Sequence, residues 1–420
     1  MDKIIIDGPC PLKGKVKVSG AKNSTLPIMA ACLLSPSKFV LRNIPSVVDA
    51  HTMIKLLSAL GAKTEWLSKD AISIDSTNVN KWKAPYQIVS KMRASICVLG
   101  PLMARFKKAE VSYPGGCVIG TRPIDLHLKG LTKLGAKIEL KDGYVVAKAK
   151  KLNGASIYLA GVYGSTVLGT ANILMASTLA KGETIIEGAA CEPEVVDLGT
   201  FLIKMGAKIK GLGSPTITVT GVKKLHGAEH TIISDRIEAG TYLIGGIISR
   251  GEVEVEDINP KFLTVFIDKL IECGVEVKQT ANSIKVKAKK NLKPIEITTL
   301  PYPGFPTDLQ AQMTAFLTTI EGISFIHEKI YPDRFMHIAE LLRMGARIMK
   351  QDSATIIQGG KLKGAPVMAS DLRASAALVL AGLAAEGRTE VNRVYHIDRG
   401  YPKIDEKLAS LGAKIRRVKA

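Results

Sequence analysis

Two patterns of apolar and polar positions recur along the chain. The first is an amphipathic stretch that closes on a Leu-Gly-Ala-Lys-like phrase and passes into an alternating apolar/polar run. Its copies are LLSALGAKTEW at 56–66, LTKLGAKIEL at 131–140, FLIKMGAKIKG at 201–211, LIECGVEVKQ at 270–279, LLRMGARIMK at 341–350 and KLASLGAKIRRV at 407–418. Their glycines (Gly61, Gly135, Gly206, Gly274, Gly345 and Gly412) predict six helix ends, because glycine takes the left-handed conformation that stops a helix. The alternation after each glycine predicts a half-buried strand.

In the second pattern a polar or charged residue opens a stretch that is apolar nearly all round and rich in small residues. The copies begin near Lys22, Arg93, Ser165, Arg236, Asp308 and Arg373. Helices without a polar face are predicted to be buried, with the amphipathic helices of the first pattern outside them. Both patterns return about every 70 residues. Six units of that size are too large for a solenoid of small repeats and divide naturally into two domains of three. A buried helix should not begin with Lys, Arg or Asp unless that end meets water or a ligand. The six openings therefore point to comparable places in the two domains. If the domains face each other, those places line one cleft, where helix N-termini favour anions.

Composition narrows the class. Of 420 residues, 46% are apolar and 23% charged, which fits a globular protein and argues against disorder. The longest apolar stretch, 374–385, has about 12 residues, short of the ~20 that a membrane span needs. The first residues, MDKIIIDGPCPLKGK, do not read as a signal peptide. Six cysteines without CxxC spacing suit the cytoplasm and predict neither a disulfide framework nor a metal site. The formal charge of +20 raises the possibility of a nucleic-acid partner. Against it, aromatics are only 5%, no binding motif is present, and Lys and Arg are spread over all six repeats.

Candidate chemistry concentrates in a few places. The run from Tyr113 to His127 holds three glycines and two prolines around Cys117, the composition of a mobile loop. Cys117 is thus a candidate reactive thiol, with Arg122 near enough in sequence to tune it. The other five cysteines read as buried, inert side chains. Lys22-Asn23 follows the small-residue turn Ser19-Gly20-Ala21 and suits either a phosphate or carboxylate, or plain solvation of a helix start. Asp308 reads first as a helix cap and second as a catalytic carboxylate. Arg399, in His396-Ile-Asp-Arg399-Gly400, reads as a surface ion pair unless a ligand needs it.

Several motifs together change these weights. Gly20-Ala-Lys22-Asn23, Met92-Arg93-Ala-Ser95, Pro114-Gly-Gly-Cys117 with Arg122-Pro-Ile-Asp125-Leu-His127, Phe305-Pro-Thr-Asp308, Asp371-Leu-Arg373-Ala-Ser375 and His396-Ile-Asp-Arg399-Gly400 occur in this order. In this order and spacing, from end to end, the chain resembles the enolpyruvyl transferase family, in its UDP-N-acetylglucosamine 1-carboxyvinyltransferase branch. The resemblance implies an α/β (α+β) fold, a two-domain inside-out α/β barrel of six βαβαββ-type repeats. One domain would span 22–230 and carry the Cys117 loop. The other would combine 1–21 with 231–420, and the active site would lie between them.

The resemblance also implies a reaction and its residues. Phosphoenolpyruvate would pass its enolpyruvyl group to the sugar 3-hydroxyl of UDP-N-acetylglucosamine, with release of phosphate, as the first committed step of peptidoglycan synthesis. Cys117 would be the general acid, able to form a thioketal with phosphoenolpyruvate and open to epoxides of the fosfomycin type. Asp308 would be the base. Lys22, Asn23, Arg122, Arg373 and Arg399 would bind phosphoenolpyruvate, with Lys22 and Arg399 counted as catalytic. Arg93, Arg122, Pro123, Ile124, Asp125, Leu126, Asp308 and Ile330 would hold the nucleotide sugar. No cofactor, metal, nucleic acid or membrane is implied, and a cytoplasmic monomer is expected. The sister transferase acting on shikimate 3-phosphate lacks a cysteine in the corresponding loop, so Cys117 argues against it. One stretch departs from the family pattern: Ala160-Gly-Val-Tyr-Gly-Ser-Thr166 keeps the small residues but lacks the basic residue that often precedes them. That puts its diphosphate contacts in doubt.

Overall fold

The computed structural model describes residues 2–113 and 123–419. All six predicted helix-ending glycines take left-handed backbone, with φ of +108° at Gly61, +102° at Gly135, +99° at Gly206, +92° at Gly274, +82° at Gly345 and +98° at Gly412. Each is followed by a strand: Lys63–Trp66, Lys137–Lys141, Lys208–Lys210, Glu276–Gln279, Arg347–Gln351 and Ile415–Lys419. The reversal at glycine lets the chain leave the helix and enter the strand within two or three residues.

Each of these strands sits at the edge of a four-stranded sheet. In one sheet, Glu229–Thr231 runs parallel to Lys38–Arg42, which pairs antiparallel with Ala71–Asp75, which pairs antiparallel with Lys63–Trp66. The same order, one parallel pair and then two antiparallel pairs, holds in all six four-stranded sheets of the described residues. Burial alternates along the strands, exposed and buried in turn along Thr216–Thr220, so one face is packed and the other solvated.

The chain forms two compact units. One comprises 20–113 with 123–233, and the other 2–19 with 234–419. Pairing explains why the second unit is discontinuous. The N-terminal strand Asp2–Gly8 lies between Gly387–Asn392 and Ile415–Lys419, and Lys13–Lys17 runs parallel to Glu252–Glu256.

The second sequence pattern supplies the centre of each unit. In the first, Lys22–Ala31, Arg93–Val98 with its continuation Leu99–Phe106, and Val167–Ser177 pack together. In the second, Arg236–Ile248, Gln310–Leu317 and Leu372–Ala384 do so. Every residue of Arg236–Ile248 is buried. Each buried Leu or Ile contributes about 1.5–3 kcal/mol relative to exposure, so burial rather than helix propensity holds these segments. Two of the charged openings are themselves buried, Arg236 at 8% exposure and Arg373 at 2%. Of the water or ligand expected at such ends, water is largely excluded at these two. Arg236 lies over the Tyr302 ring at 5.5 Å, and Arg373 is paired as described below.

Two glycines separate conformational from steric cost. An added Cβ at Gly412 would meet nothing closer than 3.9 Å, so only its φ of +98° matters. At Gly20 the Cβ would lie 1.7 Å from the Asn43 carbonyl oxygen. Urea unfolding should show Gly412→Ala losing about 1–2 kcal/mol, and Gly20→Ala about 3 kcal/mol because backbone must move.

Candidate functional site

In the unit formed by 20–113 and 123–233, Lys22 is the first residue of its helix. Its ammonium lies 3.4 Å from Oδ2 of the buried Asp49, on the first turn of the helix Val48–Leu60. Ala21 gives this helix no side-chain cap. Pro27 lies inside it and removes the bond that would end on the Asn23 carbonyl. The half-buried Lys22 and Asn23 thus stand at a helix start without a side-chain cap, an arrangement that suits an anion.

Arg93 begins the next buried segment, and its guanidinium donates to the Pro123 carbonyl at 3.3 Å. Asp125 opens the helix Asp125–Lys133. The mobile-loop reading of 113–127 therefore stops short: Asp125, Leu126 and His127 are helical, and Ile124 is 1% exposed. With its side chain in the core, Ile124 can offer a ligand only backbone. Pro123 and Asp125 are exposed and Leu126 is half-buried.

His127 is buried and neutral for a structural reason. Asn172 Oδ1 accepts from Gly100 N at 2.8 Å, so its Nδ2 is the donor, to the Ile96 carbonyl at 3.0 Å and to His127 Nδ1 at 2.9 Å. Nδ1 is therefore an acceptor. Burial, and then the Arg93 charge, push the imidazole down to about 3. Asn172 ties three segments of the site together.

In the other unit the central group is Asp308, in the 3₁₀ turn Thr307–Leu309 that leads into Gln310–Leu317. Its Oδ1 accepts from Arg334 Nη1 at 2.8 Å. Its Oδ2 accepts from Arg373 Nη2 at 3.1 Å and Nε at 3.3 Å. Arg373 also stacks on the Tyr401 ring at 5.1 Å. Burial opposes the charge of Arg373, but Tyr401, Asp308 and Asp235 outweigh it, and its guanidinium is held more firmly protonated than usual. Arg334 follows the same logic through Asp308 and Asp371. Arg373 Nη1 is buried with no partner among the described residues, which leaves one donor for an incoming anion.

Two further groups fix this cluster. Asp371 caps Leu372–Ala384 by accepting from Arg373 N at 2.9 Å and Ala374 N at 3.1 Å. Glu328, fully buried, accepts from Thr299 Oγ1 at 2.7 Å, from Thr307 Oγ1 at 2.9 Å, and from Ile330 N and Tyr331 N at 2.9 Å each. It thereby shapes the turn that carries Ile330 and Arg334. Arg399 ends the short helix Val394–Arg399 rather than lying in an open loop. It stands close enough to His396 to add to burial in lowering that imidazole.

The chain matches the family model described as EPSP synthase (3-phosphoshikimate 1-carboxyvinyltransferase) over residues 6–408. It is 55% identical over 419 residues to a UDP-N-acetylglucosamine 1-carboxyvinyltransferase of Methylacidiphilum infernorum, covering 100% of this chain and 99% of the relative. The chain belongs to the enolpyruvyl transferase family. A protein of the same name from Coxiella burnetii is 52% identical over 421 residues, covering 100% of this chain and 96% of the relative. Among solved structures, the enolpyruvyl transferase NikO from Streptomyces tendae superposes with a TM-score of 0.90 at 26% identity, covering 100% of this chain and 99% of that one. EPSP synthase from Acinetobacter baumannii shares the fold at a TM-score of 0.78 and 20% identity, covering 100% of both chains. This enolpyruvyl transferase is therefore an enzyme of the transferase class with the family's two-domain α/β fold.

In one unit Arg93 meets Pro123, and Lys22 meets Asp49; in the other, Asp308 meets Arg373 directly. Cys117 and Arg122 lie outside the described residues. Sequence reasoning missed Arg334, Glu328, Tyr401 and Asn172. Only Asn172 left a signal, as the one amide inside its own apolar helix, Val167–Ser177. The altered stretch forms a small hairpin, Ala160–Gly161 with Gly164–Ser165, that exposes Val162 at its tip. Thr166 then caps Val167–Ser177 by accepting from Gly169 N at 3.3 Å.

Buried neutral His127 sets an acid limit for this enzyme. The unfolded chain takes up a proton below about pH 6.5, while the folded chain resists until about 3, so stability is full above 6.5 and falls as pH drops. Between pH 6.5 and 5 this one group should remove about 2 kcal/mol. His127→Gln, which keeps an acceptor, should flatten that slope in urea titrations across pH.

Proposed function

We propose that the chain transfers the enolpyruvyl group of phosphoenolpyruvate to the 3-hydroxyl of UDP-N-acetylglucosamine, releasing phosphate, in the cytoplasm and as a monomer. The product would be UDP-N-acetyl-3-O-(1-carboxyvinyl)-glucosamine, at the entry to peptidoglycan synthesis. The observation that carries this reading is Asp308 between two buried guanidiniums, one of which keeps a free donor, in a chain 55% identical to a transferase of that name. Among the described residues, no helix is long and apolar enough to cross a membrane.

The reaction is an addition followed by an elimination. A proton reaches C3 of phosphoenolpyruvate as the sugar oxygen bonds to C2 and gives up its own proton. The tetrahedral adduct then expels phosphate from C2 and loses a C3 proton, which restores the double bond. Cys117 supplies the first proton. As a thiolate it also adds to C2, which accounts for a thioketal. Asp308 receives the hydroxyl proton. Its fixed place between Arg334 and Arg373 orients it for that task.

Lys22, Asn23, Arg122, Arg373 and Arg399 neutralise the phosphate and carboxylate of phosphoenolpyruvate. Arg93, Arg122, Pro123, Asp125, Leu126, Ile330 and the backbone of Ile124 take the nucleotide sugar. The remaining cysteines do not compete with Cys117: burial pushes Cys97 up to about 12 and Cys273 up to about 11, and raises Cys10, Cys32 and Cys191.

Phosphate release from phosphoenolpyruvate should require UDP-N-acetylglucosamine. Turnover with shikimate 3-phosphate in its place would overturn the assignment. A fosfomycin-type epoxide should add its mass to the peptide containing Cys117 and spare Cys117→Asp; an adduct on another cysteine would remove Cys117 from this role. Asp308→Asn should lower kcat by roughly 10²-fold or more, the usual size of a lost proton-transfer group.

A further inference from the structure

The helix that begins with Lys22 and Asn23 is poorly held by its own backbone. It has no side-chain cap at Ala21, and Pro27 deprives the Asn23 carbonyl of its intrahelical partner. Its first turn is tied instead to a buried carboxylate from another helix. Asp197, in Pro193–Lys204, is 5% exposed and accepts three hydrogen bonds. Ser24 Oγ donates to its Oδ2. Ile233 N donates to the same oxygen at 3.3 Å. His230 Nε2, from the strand Glu229–Thr231, donates to Oδ1 at 2.7 Å.

The three donors come from two pieces of chain, the helix start at Ser24 and the 230–233 stretch, which meet here. Ser24 follows Asn23 directly. Ile233 also accepts from Ala21 N at 2.7 Å, so the residue before Lys22 is bound to the same segment. The Phe201 ring packs at 5.5 Å from the His230 ring and, with Phe39 at 6.0 Å, closes the group off from water. Low local polarity strengthens each bond and raises the cost of losing one.

We propose that Asp197 is a positioning residue for phosphoenolpyruvate. Through Ser24, His230 and Ile233 it fixes the first turn of the helix, and so the places of the Lys22 ammonium and the Asn23 amide. This rests on the reading of Lys22 and Asn23 as phosphoenolpyruvate ligands. Asp197 touches no substrate, and its effect on the reaction passes entirely through that turn. The nucleotide sugar, assigned to Arg93 and the 123–126 segment, is independent of it.

The test is steady-state kinetics with each substrate varied in turn. Ser24→Ala removes one hydroxyl and little volume. It should raise KM for phosphoenolpyruvate about fivefold, the worth of one buried hydrogen bond, with kcat and KM for UDP-N-acetylglucosamine within twofold of the parent. Ser24→Thr, which keeps the hydroxyl, should restore the parent value. Asp197→Asn should give the same split with a larger rise. A lowered melting temperature with both KM values unchanged would overturn the proposal and leave the cluster a packing feature. So would equal rises in both KM values. If the parent itself shows no phosphate release with the two substrates, the assigned activity is wrong and the positioning role falls with it.

Discussion

A helix enclosed by protein on every side can offer a substrate only its ends. That constraint organises each unit of this chain. Three segments in each unit are apolar nearly all round, so sheets and amphipathic helices must cover their flanks. The sheets meet this demand with one packed face and one solvated face. What remains for chemistry is the turn in which each buried helix begins. There the helix dipole favours an anion, and the sequence places Lys, Arg, Asp or Asn.

Putting charge at such a place is costly, and the structure shows how the cost is contained. Arg373 and Arg334 are buried, and both are directed at one carboxylate, Asp308. A buried ion pair is seldom a net source of stability, since desolvating its members offsets much of their attraction. Its retention here fits a chemical purpose better than a structural one. The surroundings point the same way. Gln312 Nε2 donates to the Asp308 carbonyl at 2.9 Å, and to Thr241 Oγ1 and the Tyr401 hydroxyl at 3.1 Å each, so the turn bearing Asp308 is anchored from the next turn of its own helix. Glu328 anchors the turn bearing Arg334 from the strand side. The catalytic candidates are few, while the groups that hold them still are many.

How much of this was legible in the sequence depended on how local the cause was. The helix-ending glycines were legible because a left-handed residue is a demand of one position on one residue type. Buried helices were legible because the absence of a polar face is a property of a dozen neighbours. The pairing of Asp308 with Arg373 was not, because it links residues 65 positions apart through folded topology. Arg334 was missed for a related reason: it opens no helix and sits in a turn whose shape is set by Glu328. Burial of Ile124 and His127 was hidden by the glycines and prolines before them, which mark a loop but not where it ends. Resemblance to a family supplied what local reasoning could not, by naming separated residues as candidates for one site.

The large positive charge is then a property of the solvated sheet faces more than of the site. In one sheet Lys137, Lys148 and Lys108 stand directly opposite one another across three strands. In another, Lys13, Lys15 and Lys17 face Glu252, Glu254 and Glu256, with Lys285 and Lys287 on the next strand. Opposed like charges cost a few tenths of a kcal/mol to about 1 kcal/mol each, and salt screens them beyond about 8 Å. Such lysines can raise the encounter rate of a polyanionic substrate by their summed field. They cannot select one, because selection needs a fixed donor at a fixed place. In this fold fixed donors stand at the starts of the buried helices, where a handful of basic residues outweigh the many on the surface.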